Sequence, residues 1–190
     1  MAVVTNAKVY GIEDSFRASK FPMATEVDKL SDYYTDRIAK LGSAAIGSGH
    51  DQFLTGIVVQ FDLTFSLKAW TEAQRYHFLD FVSSQSTMHR ITKMDIVAQC
   101  NEYVNQNIVQ TVEELVALYN ENPTPENYLR VLYNVPTGFR LTARMTTNYR
   151  QLKTIYSQRK NHRLPEWREF CSWIEELPYA EVFFMGGGEE

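Results

Sequence analysis

The sequence predicts an α/β domain of the α+β kind, an antiparallel sheet flanked by helices, and three observations carry that expectation. From Thr55 onward, Ile57, Val59, Phe61, Leu63, Phe65 and Leu67 fall at every second position, with Gln60, Asp62, Thr64 and Ser66 among the residues between them. Side chains alternate faces along a strand, so this is a long strand with one dry side and one wet side. A second such stretch follows Thr137, with Phe139, Leu141, Ala143 and Met145 on one face and Arg140, Thr142, Arg144 and Thr146 on the other. Most of the other apolar residues recur at the three- and four-residue steps of a helix face. Antiparallel pairing of the two alternating stretches gives the most economical sheet core.

The 190 residues are predicted to form one domain over 1–185, with 186–190 as a flexible tail. A hydrophobic content of 44% and a charged content of 22% are those of an ordinary globular protein. The formal net charge of −4 argues against a broad electrostatic footprint for DNA or RNA. Cys100 and Cys171 lie far apart and in no metal-ligand spacing, so buried thiols in a reducing compartment are expected. No apolar run reaches the ~20 residues of a membrane span, and the N-terminus lacks the apolar core of a signal peptide. A cytoplasmic protein is the expectation.

In chain order, Ala7–Tyr10 reads as a short opening strand that stops at Gly11. Thr25 with Glu26, Val27 and Asp28 looks like a capped helix start. Val27, Leu30, Tyr34, Ile38 and Leu41 would be its buried stripe, and Gly42 its end. Gly42–Asp51, GSAAIGSGHD, is a flexible connection without a lysine or phosphate-loop spacing. The alternative is that His50 and the glycine backbone approach a ligand. After the first long strand, Lys68–Val82 reads as a helix with Trp70, Ala73, His77 and Phe81 on one face. A polar run from Ser83 to Arg90 follows. Residues 92–119 are expected to be helical, and Thr124 before Pro125 and Glu126 is a good cap and first turn. Asn148-Tyr149-Arg150 then opens a helix with Leu152, Ile155 and Tyr156 inward and Arg150, Lys153, Arg159 and Lys160 aboard. A last helix follows Pro165, burying Trp167, Phe170, Cys171, Ile174 and Leu177. The tail from Phe183 is expected to fray.

Arginines on a strand face (Arg140, Arg144) and on the next helix (Arg150, Arg159) suggest one anion pocket, against the reading of a solvated helix face. His77 reads equally as a core histidine, and Ser83, Ser84 and Ser86 as caps of the next helix. No catalytic triad can be assembled around Ser86, and no His, Asp and Glu set has metal-ligand spacing.

The order of these features resembles flavin-dependent thymidylate synthase (ThyX). GHDQF, a long strand, a central His and a Ser-rich turn resemble the first half of the family. LRVLYNVPTGFRLTARMTTNYRQLKTIYSQRKNHRLPEW resembles the second half more closely, and the likeness spans roughly 49–167. It implies a homotetramer with sites where subunits meet, binding FAD, dUMP, a folate one-carbon donor and NADPH. Reduced flavin would supply hydride as dUMP is methylated to dTMP. Of the family's signature this chain keeps His77 and Ser86. Tyr76 and Phe78 stand where the family has arginines, and Ser83-Ser84 where it has Asn-Glu. Asn148 and Arg150 match an Asn-x-Arg that looks toward flavin, and Arg159 matches an arginine used on the nucleotide. Glu126 and Arg130 resemble an acid-and-arginine pair, and Gly49-His50 a Gly-His ahead of the first strand. The resemblance thus implies Arg159, Ser86, Arg150, Arg130 and Glu126 on a pyrimidine nucleotide, and His77, Asn148, Arg150 and His50 on the cofactor. Two readings stay open: a working dUMP methylase, or a non-catalytic protein of that fold that binds another nucleotide or serves as an interaction protein.

Overall fold

The computed structural model describes residues 2–186, so most of the expected C-terminal tail lies outside the described residues. The long strand β2 (Val58–Ser66) sits at the middle of the molecule because its inward side chains are all apolar. Val59, Phe61, Leu63 and Phe65, with Ile57 just ahead, are each 0% exposed. It pairs antiparallel with β4 (Arg140–Asn148) along its whole length, from Val58 opposite Asn148 to Ser66 opposite Arg140. β1 (Val4–Tyr10), followed by the short helix α1 (Ile12–Ala18), flanks β2, and β3 (Asp80–Ser84) flanks β4, giving a four-stranded antiparallel sheet in the order β1-β2-β4-β3.

The dry face packs against α3 (Leu67–Ala73), α8 (Tyr149–Arg159) and α9 (Pro165–Glu175). Rings interlock there: Phe65 meets Trp167 at 4.9 Å and Phe61 meets Phe170 at 5.6 Å between centroids. A second, smaller core of Ile91, Ile96, Val109, Val112, Val131 and Phe139 holds a helical lobe together. That lobe comprises α4 (Thr87–Arg90), α5 (Ile96–Gln99), α6 (Gln106–Glu121) and α7 (Pro125–Tyr133). Thr124 caps α7 through its hydroxyl, as its place before Pro125 predicts. Cys100 and Cys171 are free and buried. No described helix is long and apolar enough to cross a membrane.

Four expectations need correction. The helix expected from Thr25 is absent, and Val27–Lys29 is one 3-10 turn with Val27 42% exposed. Lys20 holds the following chain extended through the carbonyls of Ser31 and Tyr33, and the helix that forms, α2 (Asp36–Ser43), starts at the Thr35 cap. The helix expected over Lys68–Val82 stops at Ala73. The chain turns through 74–79, and Asp80–Ser84 joins the free edge of β4, Phe81 opposite Met145. The helical run expected over 92–119 is broken, because Asp95 and Asn105 each cap a new helix, α5 and α6. Finally, Phe183 and Phe184 do not fray: they are 1% and 8% exposed in a π-helical turn over Glu181–Met185. Phe183 lies on Gly42, where a Cβ would stand 2.3 Å from its ring, so Gly42 makes room for an aromatic within α2.

Candidate functional site

α8 carries the candidate site on its outer side. Asn148 starts the helix, its side-chain oxygen accepting from the Gln151 backbone N–H at 2.9 Å, because this residue type can satisfy an orphan donor of the first turn. From there Gln151 and Thr154 follow at three-residue steps and keep the same side. Together with Ile46, Phe78 and Arg150 they border a hollow of about 430 Å³. Gln151 and Thr154 are shared with a second, more open hollow of about 470 Å³, bordered by Arg75, Tyr76, His77 and Arg159. The two form one groove between α8 and the turn that joins α3 to β3.

At the head of the groove, Arg150 Nε donates to Asp51 Oδ1 at 3.1 Å. Asp51 is 1% exposed and also takes Lys153 Nζ at 3.3 Å. Lys153 donates further to the carbonyls of Gly42, at 2.7 Å, and Ala44. This buried cation ties the Gly42–Asp51 connection to α8, and so fixes the wall made by Ile46 and Gly47. Burial pulls the Lys153 ammonium below its ordinary range, and Asp51 offsets only part of that pull.

At the other end, Arg159 is heavily engaged. Its Nε donates to the Tyr76 hydroxyl at 2.7 Å and its Nη1 to Glu72 Oε2 at 2.8 Å. The guanidinium lies over Trp167 at 4.9 Å and over Tyr76 at 5.5 Å. The Tyr76 hydroxyl donates in turn to Gln158 at 2.9 Å. Glu72 collects Lys68 at 3.1 Å and His162 Nε2 at 3.1 Å as well. Burial opposes its ionisation, yet Lys68, His162 and Arg159 together hold its carboxyl below the usual range.

His162 supplies a pH prediction. Burial, with Arg159, Lys68 and Arg168 nearby, pulls its imidazole below 6.5 in spite of Glu72. The unfolded chain therefore takes up this proton first as pH falls. Stability from His162 is complete above pH 6.5 and is lost between 6.5 and the depressed folded value. Glu72 contributes above its ordinary 4.5 and loses that contribution below it, as pH falls through its lower folded value. Thermal melts should show a first decline beginning near pH 6.5 that His162→Gln removes.

Of the residues singled out in the sequence, Asn148, Arg150, His77 and Arg159 border this groove, with Thr154 between them. His77 is exposed on the turn rather than on a helix. Ser86 precedes α4 outside the groove, and His50 is exposed on the connection before β2. Glu126 and Arg130 pair with each other at 2.6 Å on α7. The single anion pocket expected from strand and helix arginines does not form within one chain. Arg144 is held by Asp62 at 3.2 Å and by the Asn6 carbonyl, and Arg140 reaches the Cys100 carbonyl, both on the strand face opposite Ala143 and Met145. Asp51, Glu72 and Gln151 are neighbours of the groove to which the sequence reading gave no role. Only Glu72 carried a signal, four residues after Lys68 on a helix.

A flavin dinucleotide needs cations for its diphosphate. Arg150 and Arg159 are committed to Asp51 and Glu72, and Tyr76 and Phe78 are neutral. Arg75 at the rim is the cation that remains. Within one chain the groove therefore does not fit a diphosphate.

No family model and no curated protein sequence matches the chain. Its fold does have counterparts. A flavin-dependent thymidylate synthase ThyX from Helicobacter pylori, complexed with FAD and dUMP, superposes with a TM-score of 0.74 at 15% identity, covering 98% of this chain and 99% of that one. Another structure of Helicobacter pylori ThyX with FAD and dUMP gives 0.75 at 16% identity, covering 98% and 100%. A UMP/dUMP methylase PolB from Streptomyces cacaoi, bound with 5-Br dUMP, gives 0.66 at 13% identity, covering 97% and 94%. The chain has the fold of the flavin-dependent thymidylate synthases.

Proposed function

We propose that the chain binds a pyrimidine nucleotide in the groove along α8. The observation that carries this reading is the placement of Asn148, Gln151 and Thr154 on one side of α8, opposite the Tyr76–Phe78 turn. Phe78 is 53% exposed and offers a ring face to a base, while Asn148 and Gln151 offer amide groups to its edge. Arg75 lies where a single phosphate would be received, and Arg159, tied to Glu72 and Tyr76, borders the same hollow. The fold relatives with dUMP or a dUMP analogue support the same ligand class. In this reading the protein self-associates, as a tetramer by family likeness, and a neighbouring subunit brings Ser86, Glu126 and Arg130 toward the groove. His50 would join the cofactor side.

A second reading, methylation of dUMP with FAD, NADPH and a folate donor, is favoured by Asn148 and Arg150 at the head of the groove. It requires a partner subunit to supply the cations that Tyr76 and Phe78 lack. Thermal melts with dUMP test the first reading. A ligand at 100 times its Kd adds about 2.7 kcal/mol, or roughly 5–10 °C at this chain length. Gln151→Ala and Arg75→Ala should each shrink that shift, and a flat response to dUMP would end the reading. Yellow purified protein, or flavin retained in native mass spectrometry, separates the second reading from the first.

A further inference from the structure

A second cleft, of about 600 Å³, opens where the first turn of α9 meets the helical lobe, away from the α8 groove. Val104, Ile108, Pro136 and Leu164 give it an apolar wall, and Asn101, Asn105 and Thr137 border it as well. At its border stands Glu166, only 7% exposed, whose Oε1 is buried without a hydrogen-bond partner. Buried polar atoms are nearly always paired, and an orphaned carboxyl oxygen is costly. On the other side of Glu166 a smaller hollow of about 230 Å³ is bordered by Arg140, whose Nε is likewise unpartnered. The cleft's other charged residues are all basic: Lys68, Arg163 and Arg168. This concentration stands out on a chain of net charge −4.

We propose that this cleft binds a guanine nucleotide, the base at Glu166 and the phosphate at Arg163 and Arg168. A carboxylate only accepts hydrogen bonds, so it selects a ligand edge with two adjacent donors. Guanine presents such an edge in N1–H and N2–H. Uracil places its one N–H between two carbonyls, and adenine sets its amino group beside an acceptor, so both leave an oxygen facing an oxygen or a ring nitrogen. The last torsion of a glutamate is broad, and a turn about it would bring the orphaned Oε1, closed off from solvent as it stands, to the cleft. Lys68 is already paired with Glu72, so it is Arg163 and Arg168 that exclude a plain guanidine or amine, which would satisfy the carboxyl and be repelled at the rim. Tyr103, 74% exposed at the border, supplies a ring against which a base can stack.

Calorimetric titration of the full chain with GMP, guanosine and AMP tests the assignment. GMP should bind, guanosine about tenfold or more weakly for want of the phosphate, and AMP not measurably. Glu166→Gln should weaken GMP at least tenfold by turning one acceptor into a donor. Arg163→Ala, at an exposed position where folding is not at stake, should also weaken it about tenfold and leave guanosine unchanged. Saturating dUMP should not displace GMP, because the α8 groove is separate; if dUMP fails to bind, that groove's reading falls and this one stands. No heat from GMP at millimolar concentration, equal binding of AMP, displacement by dUMP, or unchanged GMP affinity in both variants would each overturn the proposal.

Discussion

Asp51→Ala is expected to destabilise the fold by about 3–5 kcal/mol, the usual cost of breaking a buried ion pair from one side. Lys153 is 6% exposed, and its ammonium is held by two carbonyls and by Asp51. Without the carboxylate the cation stays in place with no counter-charge, and Arg150 loses its anchor too. The loss should appear in urea unfolding as a lower midpoint with an unchanged slope. Lys153→Met in the same chain should recover much of it, since an apolar side chain of similar length leaves no buried charge. If Asp51→Ala unfolds at the wild-type midpoint, the tie between the Gly42–Asp51 connection and α8 is not structural. The same variant should weaken dUMP, because Ile46 and Gly47 lose their support.

The two central strands were legible because period-two alternation has one physical meaning, a half-buried strand, and both stretches are long enough to exclude a helix. The start of α8 was legible for a similarly local reason, an Asn cap followed by inward Leu152, Ile155 and Tyr156. β3 was not. Trp70, Ala73, His77 and Phe81 do fall at helical steps, but the vacant edge of β4 offers Asp80–Ser84 ladder hydrogen bonds that no local pattern records. Thr147 adds its hydroxyl to the Phe78 carbonyl at 2.6 Å and fixes the turn. The groove was half legible. Its α8 side follows from helical spacing, whereas Asp51, 99 residues from Arg150, joins it only through the tertiary fold. The expected arginine cluster failed for a related reason. Alternation sends Arg140 and Arg144 away from the face that α8 covers, and a charged residue in the interior finds an acid or carbonyl before it finds a ligand.

Phe78→Arg should raise the ratio of dUMP to deoxyuridine affinity by about ten- to a hundredfold, from the 1.5–3 kcal/mol of one charge-assisted hydrogen bond. The sequence resemblance implies an arginine at the place of Phe78, which borders the groove at 53% exposure. A guanidinium there faces Asn148 and Gln151 with no acid already bound to it, unlike Arg150 or Arg159. The ratio is the informative quantity. Loss of the ring removes base stacking equally from both ligands, whereas only dUMP has a phosphate to gain from the new charge. The backbone is retained by the Thr147 contact to the Phe78 carbonyl, so the turn should keep its shape. Calorimetry on both ligands gives the ratio directly. An unchanged ratio would place the phosphate away from Phe78 and toward Arg75, and Arg75→Ala would then lower the ratio in the wild-type background. If neither change moves it, the nucleotide does not lie along α8.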